Sequence, residues 1–163
     1  MSFAKNDIYD LLNAKNIPFT CTEHRPVYSM EELDALEMPA DAVICKNLFL
    51  RNSNSKQHFL LTVPANTPVD LKQLAAKLAS SRLSFSSAER LEKYLGLQSG
   101  LVSPFGLLND TSKSVIFVSS KNLPPSAIIA IHPNDNTATV CLTFGDLLAL
   151  LSELLVEVKL IEM

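Results

Sequence analysis

Cysteine and histidine are scarce in this sequence. The 163 residues include three of each, which are Cys21, Cys45, Cys141, His24, His58 and His132. Three widely separated cysteines form neither a disulfide framework nor a CxxC metal-binding pattern. No pair of histidines has the HExxH spacing of a zinc protease. The sequence therefore predicts no metal site and no cofactor.

Long apolar runs are also missing, since none approaches the roughly 18–20 residues that a membrane-spanning helix needs. Lys5 and Asp7 lie where a secretory signal would place an apolar stretch. Hydrophobic residues make up 47% of the chain and charged residues 19%, as in an ordinary globular protein. We expect one cytoplasmic domain that spans residues 1–163, has a buried core and binds no membrane.

Glycine is rare, and its distribution is uneven. Three of the four glycines, Gly96, Gly100 and Gly106, lie in a segment from 94 to 109 that has no charged side chain. Glycine is favoured where φ is positive, or where a ligand or another part of the backbone comes close. The segment is therefore either an apolar loop that closes over the core or a loop that lines a binding site.

Acidic side chains outnumber basic ones, and the net charge of −3 argues against a protein that coats nucleic acid nonspecifically. The charge is unevenly spread, because residues 46–93 hold eight basic and three acidic side chains. Residues 1–45 hold three basic and eight acidic side chains. Such asymmetry can create a local positive surface on an acidic protein, although it fits ordinary solvated helix faces as well.

Hydrophobic periodicity and turn residues divide the chain into helices and strands. Polar turns at 52–57 and 132–136 are expected to close hairpins. Ser29, Asp70 and Thr143 are expected to cap helices. The first predicted helix ends near residue 15, and the other predicted helices cover 30–37, 71–78, 87–95 and the segment after Thr143. The predicted strands are 19–23, 43–51, 59–63, 115–118, 128–131 and 137–142. This order predicts an α+β fold, with a central mixed, largely antiparallel sheet flanked by helices.

Two polar residues interrupt the apolar strand predicted at 43–51. A lone lysine such as Lys46 either protects a strand edge from pairing or serves a functional site. Asn47 must hydrogen-bond a partner if it is buried. Strict alternation places Lys46 and Asn47 on opposite faces of the strand, so a shared site requires either a bulge or a site that wraps around the end of the strand.

Three segments in order resemble one known superfamily. They are residues 46–50 (KNLFL), 100–106 (GLVSPFG) and 132–139 (HPNDNTAT). Together they resemble the YbaK and prolyl-tRNA-synthetase editing-domain superfamily, and within it the free-standing Ala-tRNA(Pro) deacylases. The similarity runs from His24 through the last predicted helix. The sequence departs from this pattern at Leu101-Val102, where relatives often have a second small residue, and at Ser119-Ser120, where many carry an aspartate.

The resemblance implies a trans-editing hydrolase that deacylates mischarged tRNA(Pro), with alanyl-tRNA(Pro) as the substrate. It implies Lys46, Asn47 and His132 as catalytic residues, although a lone histidine before a proline is otherwise typical of a turn. The tRNA(Pro) acceptor end is the implied ligand, and prolyl-tRNA synthetase or an elongation factor is the implied protein partner. The expected substrate-binding residues are Met30, Ile44 and Leu48, chosen as apolar pocket walls, and Gly100, Ser103, Pro104, Phe105 and Gly106 in the uncharged loop.

Two alternatives remain open from the sequence. The first keeps the reaction but changes the aminoacyl group to cysteine, serine or threonine. The second is a noncatalytic module that binds tRNA or a synthetase. No G-x-S-x-G elbow is present, and Cys45 lies in a predicted buried strand where a small thiol usually packs. We therefore expect attack by water rather than by a protein nucleophile.

Overall fold

The computed structural model describes residues 3–26 and 39–163. The helix predicted at 30–37, and Met30 with it, lie outside the described residues. The helices are α1 (Lys5–Ala14), α2 (Leu71–Lys77), α3 (Ala88–Leu95) and α4 (Phe144–Glu153), with a 3₁₀ helix at Pro104–Asn109. The strands are β1 (Thr20–Glu23), β2 (Val43–Arg51), β3 (His58–Pro64), β4 (Ser84–Phe85), β5 (Val115–Ser120), β6 (Ile128–Ile131), β7 (Ala138–Thr143) and β8 (Val158–Ile161).

The strands form one mixed sheet in the order β1-β7-β6-β2-β3-β5-β8, with β4 added beside β2. The pairs β1–β7, β2–β3, β2–β4 and β6–β7 are antiparallel, whereas β2–β6, β3–β5 and β5–β8 are parallel. The predicted α+β class with a mixed sheet is therefore confirmed. Both predicted hairpins are present as β2–β3 and β6–β7.

Capping residues begin three of the helices. The Asp70 carboxylate accepts hydrogen bonds from two main-chain N–H groups of α2, and the Ser87 and Thr143 hydroxyls accept one each in α3 and α4. These bonds satisfy donors that have no partner inside the helix. The caps expected at Asp70 and Thr143 are confirmed. No helix in residues 3–26 and 39–163 is long and apolar enough to cross a membrane.

The sheet has apolar side chains packed on both of its faces. On one face, Phe49 and Leu60 pack against α3 and the 3₁₀ helix in a cluster that also includes residues of α1 and α4. On the other face, Leu50 and Leu61 pack against α2. Strand β2 contributes to both clusters because successive side chains alternate between the two faces.

Three elements were not predicted from the sequence. Strand β4 has only two residues, and β8 pairs with β5 alone among the strands of the described residues. The 3₁₀ helix lies inside the uncharged loop, where Phe105 and Leu107 are buried. Gly106 allows the loop to pack closely, because a Cβ there would lie 2.8 Å from Leu97 Cδ1. The loop therefore closes over the core, which is the first of the two interpretations given for its sequence.

Candidate functional site

The site lies where β2 changes partners along one edge. On that edge Ile44 pairs with β6, and Leu50 pairs with β4. The Phe49 carbonyl accepts a hydrogen bond from Ser86 N. Between these contacts, residues 45–48 pair with β3 on the opposite edge but have no strand partner on this one within residues 3–26 and 39–163. We call this unpaired stretch the β2 gap.

The main chain of Asn47 faces the β2 gap. Main-chain groups in an antiparallel pair point alternately toward the partner strand and away from it. The Ile44 carbonyl points toward β3, where it accepts from Ala65 N, and the Phe49 carbonyl points away from β3. Asn47 has the same parity as Phe49, so its N–H and C=O point into the gap. Main-chain polar groups need a partner, and this N–H and C=O have none among the strands of residues 3–26 and 39–163.

The strand register places Lys46 and His132 on the same face of the sheet. The parallel pairing of Ile44 with Ala130 brings Lys46 opposite His132 when the register is extended by two residues. Asn47 projects to the other face, since the pairing of β2 with β3 is one-to-one from Cys45 to Arg51. The bulge considered above is therefore absent from this pairing. The side chains of Lys46 and Asn47 are therefore on opposite faces, and one ligand can contact both only if it wraps around the edge of β2.

A chain of hydrogen bonds across three strands orients the Asn47 side chain. The Thr62 hydroxyl on β3 donates to Asn47 Oδ1 at 2.6 Å. The Ser119 hydroxyl on β5 donates to the Thr62 carbonyl at 2.5 Å. Thr62 and Ser119 are fully buried, so solvent does not compete for these bonds. The amide oxygen of Asn47 is thus engaged, and its NH₂ group makes no hydrogen bond to the described part of the chain.

His132 is held through its main chain, and its ring is neutral. The Ser103 hydroxyl donates to the His132 carbonyl at 2.6 Å, which ties the uncharged loop to the end of β6. Burial lowers the pKa of His132 to about 4, with a smaller lowering contribution from His24. Its buried Nδ1 has no hydrogen-bond partner among the described residues. A neutral imidazole can orient water or donate to a carbonyl, but it is a weak base at neutral pH.

The loop after His132 is braced by the amino-terminal segment. The Asn134 amide donates to the carbonyls of Phe3 and Phe105 at 3.2 and 3.3 Å. The Lys5 ammonium donates to the Thr137 hydroxyl at 2.9 Å. Thr137 N in turn donates to Asp135 Oδ1 at 2.7 Å. Strands β6 and β7 hold this loop only at its two ends, and these bonds fix the part in between.

His24 lies nearer to this site than the sequence indicated. Its Nε2 is 2.9 Å from the Thr139 hydroxyl, and its Nδ1 is 2.7 Å from the Arg25 carbonyl. The register of β6 with β7, extended by one residue, makes Thr139 the cross-strand neighbour of His132. His24 is not among the site residues predicted from the sequence. Its nearness to His132 depends on strand pairing, so the local sequence carried no signal for it.

The other residues named from the sequence lie at different depths. Ser103, Pro104, Phe105 and Gly106 are buried in the loop packing, whereas Gly100 is exposed and has a φ of +87°. Ile44 and Leu48 are partly buried, and they share the Lys46 face of β2. Burial raises the pKa of the Cys45 thiol to about 12, so this group stays protonated. Direct substrate contacts by these loop and wall residues remain predictions.

This arrangement defines a class of site. A lysine, an oriented amide, a neutral histidine and main-chain groups without a strand partner in the described chain surround the edge of one strand in an α+β sheet. Such groups can bind a polar ligand, hold a water molecule and stabilise a developing oxyanion. They do not include an activated protein nucleophile, since the nearest thiol is protonated.

Comparisons with known proteins give the family. The chain belongs to the aminoacyl-tRNA editing domain family, whose model matches residues 24–150. It is 44% identical over 144 residues to the prolyl-tRNA editing protein ProX of Acetoanaerobium sticklandii, covering 88% of each chain. It is 32% identical over 151 residues to the prolyl-tRNA synthetase associated domain-containing protein 1 of Danio rerio, covering 91% of this chain and 82% of the relative.

A solved structure shares the fold. It is described as a candidate trans-editing enzyme for prolyl-tRNA synthetase, and it superposes with a TM-score of 0.70 over 100% of this chain and 99% of its own. At 17% identity, this likeness shows the fold alone. The family resemblance drawn from residues 46–50, 100–106 and 132–139 is confirmed by the family model and by the ProX relative.

The buried His132 predicts an acid-sensitive fold. The unfolded histidine has a pKa near 6.5 and the folded one about 4, so the unfolded state binds more protons between these values. Its contribution to stability is complete above about pH 6.5 and falls as the pH decreases toward 4. From pH 7 to 4.5 the loss should be roughly 2 kcal/mol. Urea unfolding of wild type and His132→Asn at both pH values measures it.

The control is His58→Asn, because burial also lowers the pKa of His58. Wild type should lose more stability on acidification than His132→Asn does, and the difference should persist when both proteins carry His58→Asn. Equal losses in wild type and His132→Asn would contradict a neutral, buried His132.

Proposed function

We propose that this protein is a trans-editing hydrolase that deacylates mischarged tRNA(Pro), with alanyl-tRNA(Pro) as its substrate. The observation that carries the proposal is the β2 gap, where Lys46, Asn47 and His132 surround main-chain groups that have no strand partner in the described chain, in a member of the editing-domain family. The 44% identity to ProX supports the choice of tRNA(Pro). The protein would act in the cytoplasm as one editing domain over residues 1–163.

The reaction needs little from the protein, because an aminoacyl ester is already activated. Water attacks the ester carbonyl, a tetrahedral oxyanion forms, and the terminal ribose oxygen leaves with a proton. Holding the water in line and stabilising the oxyanion lower the barrier. The reaction requires neither a covalent intermediate nor a cofactor.

Each of the three site residues has a role that suits its surroundings. Lys46 supplies a fixed positive charge to the ester region or to a phosphate of the 3′ end. Asn47 presents its NH₂ group to water or to the substrate, because Thr62 engages the amide oxygen. His132 orients water or donates to the ester carbonyl as a neutral ring, in keeping with its lowered pKa.

Alanine is the expected aminoacyl group because of how a synthetase selects proline. A pocket built for proline also admits alanine, and each missing methylene changes binding by only about 1–3 kcal/mol. A second pocket that is too small for the proline ring can hydrolyse the alanyl ester and spare the correct product. We assign Ile44 and Leu48, beside Lys46 on one face of β2, to the wall of that pocket, together with Met30.

The partners follow from the substrate. The protein binds the acceptor end of tRNA(Pro), and prolyl-tRNA synthetase or an elongation factor delivers or receives the aminoacyl-tRNA. Similarity to a prolyl-tRNA editing protein and to a prolyl-tRNA synthetase associated domain-containing protein supports this proposal.

A panel of charged tRNAs tests the proposed function. Wild-type enzyme should deacylate Ala-tRNA(Pro) at least about tenfold faster than Pro-tRNA(Pro), because overpacking a rigid pocket costs about 1–3 kcal/mol. Seryl, threonyl and cysteinyl esters belong in the same panel. If one of these esters is hydrolysed faster than the alanyl ester, that ester and not Ala-tRNA(Pro) is the substrate. Binding of tRNA without turnover of any ester would indicate a noncatalytic module.

Lys46 provides a second test. Lys46→Ala and Lys46→Met should each lower kcat for Ala-tRNA(Pro) by about 10²–10³, because removing one preorganised charge or donor typically costs that much. Single-turnover deacylation measures the rate, and thermal unfolding checks that the fold is kept. Lys121→Met is the matched control, since Lys121 is an exposed lysine of the turn after β5. Near-wild-type turnover in either Lys46 variant would exclude Lys46 from the site.

A further inference from the structure

The eight basic side chains of residues 46–93 do not form one surface. Lys72 and Lys77 belong to α2, which packs on the Lys46 face of the sheet. Lys77 is already engaged, because its ammonium donates to the Glu162 carbonyl at 2.6 Å. Arg51, on the other hand, has the parity of Asn47 and Phe49, so it lies on the face covered by α3.

Arg51 is part of a cluster built around a buried histidine. Its cross-strand partner is His58, which is 2% exposed. The His58 ring packs against the Tyr94 ring of α3, with centroids 4.4 Å apart. Arg90 and Lys93 lie on α3 three residues apart, on neighbouring turns, and Lys93 Nζ is 5.2 Å from the centre of the Tyr94 ring. We call Arg51, Arg90 and Lys93 the basic collar.

The charges of the collar are not neutralised within the described chain. None of its three cations forms an ion pair in residues 3–26 and 39–163. Arg51 contacts only neutral oxygens, the Asn52 carbonyl and the Ser55 hydroxyl, each at 3.3 Å. Glu89 lies four residues before Lys93, so the two side chains are neighbours on the surface of α3, but neither Glu89 nor Glu92 comes within 4.0 Å of these cations. The collar also affects its centre, because burial and then Arg90, Arg51 and Lys93 lower the pKa of His58.

The collar lies at the rim of the β2 gap. Arg51 is four residues from Asn47 on the same face of β2, which corresponds to about 13 Å along the strand. Helix α3 begins beside the gap, since its cap Ser87 follows Ser86, whose N–H donates to the Phe49 carbonyl. A 3′ end that lies in the gap is therefore about 13 Å from Arg51 along β2, a distance that a few nucleotides span.

We propose that Arg51, Arg90 and Lys93 bind backbone phosphates of the tRNA acceptor stem, just beyond the single-stranded 3′ end that enters the β2 gap. This proposal rests on the function proposed above. Phosphate contacts fix the position of a nucleic acid without reading its sequence. The collar thus holds the stem so that the aminoacyl ester reaches Lys46, Asn47 and His132.

The test measures binding of uncharged tRNA(Pro) as a function of salt, together with kinetics. Arg51→Gln, Arg90→Gln and Lys93→Gln should each raise Kd and KM about threefold to tenfold and leave kcat unchanged. Each should reduce the slope of log K against log salt by about one. Arg51→Lys and Arg90→Lys retain the charge and should keep the wild-type slope. Lys121→Gln and Lys72→Gln are matched controls, one on a distant turn and one on the opposite face.

A short substrate separates stem binding from catalysis. An alanyl ester of the trinucleotide CCA has no stem, so the collar variants should hydrolyse it at the wild-type rate. Unchanged Kd and salt slope in all three glutamine variants would overturn the proposal, as would equal effects from the Lys72 or Lys121 controls. Loss of activity on the trinucleotide would also overturn it. Kd is measured with uncharged tRNA, so the binding test does not require deacylase activity. It therefore remains valid if the proposed deacylase function is wrong.

Discussion

Strand β2 must find main-chain hydrogen-bond partners along both of its edges, and the rest of the site depends on how it does so. One edge is fully occupied by β3 from Cys45 to Arg51. The other edge is shared between β6 at its start and β4 at its end. Since β6 stops at Ile131 and β4 has only two residues, neither covers Asn47. Within residues 3–26 and 39–163, the N–H and C=O of Asn47 therefore have no strand partner on this edge.

Several elements have the common effect of keeping this edge rigid and accessible. Thr62 and Ser119 fix the Asn47 amide from two further strands. The uncharged loop reaches the end of β6 through Ser103, and its close packing leaves little room for a Cβ at position 106. The amino-terminal segment braces the turn after His132. Polar groups that are held in this way lose little orientation entropy on binding, which is the condition for preorganised catalysis.

The sequence predicted the local structure better than the site. The caps at Asp70 and Thr143 could be predicted from the sequence, because a side-chain acceptor directly precedes an apolar repeat with helical spacing. Strand β8 could not, since a four-residue strand gains its stability from β5, some 40 residues earlier. The alternation of Lys46 and Asn47 was read correctly. That Thr62 supports Asn47, and that His24 lies near His132, depends on contacts between residues far apart in the chain.

The two departures from the family pattern lie in different parts of the structure. Ser119 and Ser120 stand where many members of the resembled family carry an aspartate, and here the Ser119 hydroxyl donates to the Thr62 carbonyl behind Asn47. Leu101 and Val102 are partly buried at the start of the loop that contacts His132. Bulk at these positions would reshape the pocket from the loop side, so it bears on aminoacyl specificity rather than on the reaction itself.

The central claim is that the substrate's aminoacyl end binds at the β2 gap. The most direct measurement is a titration of isotope-labelled protein with a nonhydrolysable 3′-alanylamido analogue of the terminal adenosine, followed by NMR of the main-chain amides. The account predicts the largest shift changes at residues 45–48 and at His132, with loss of those changes in Lys46→Met. Shift changes centred elsewhere, such as at the open apolar groove formed by Leu148, Leu155 and Val158, would contradict it.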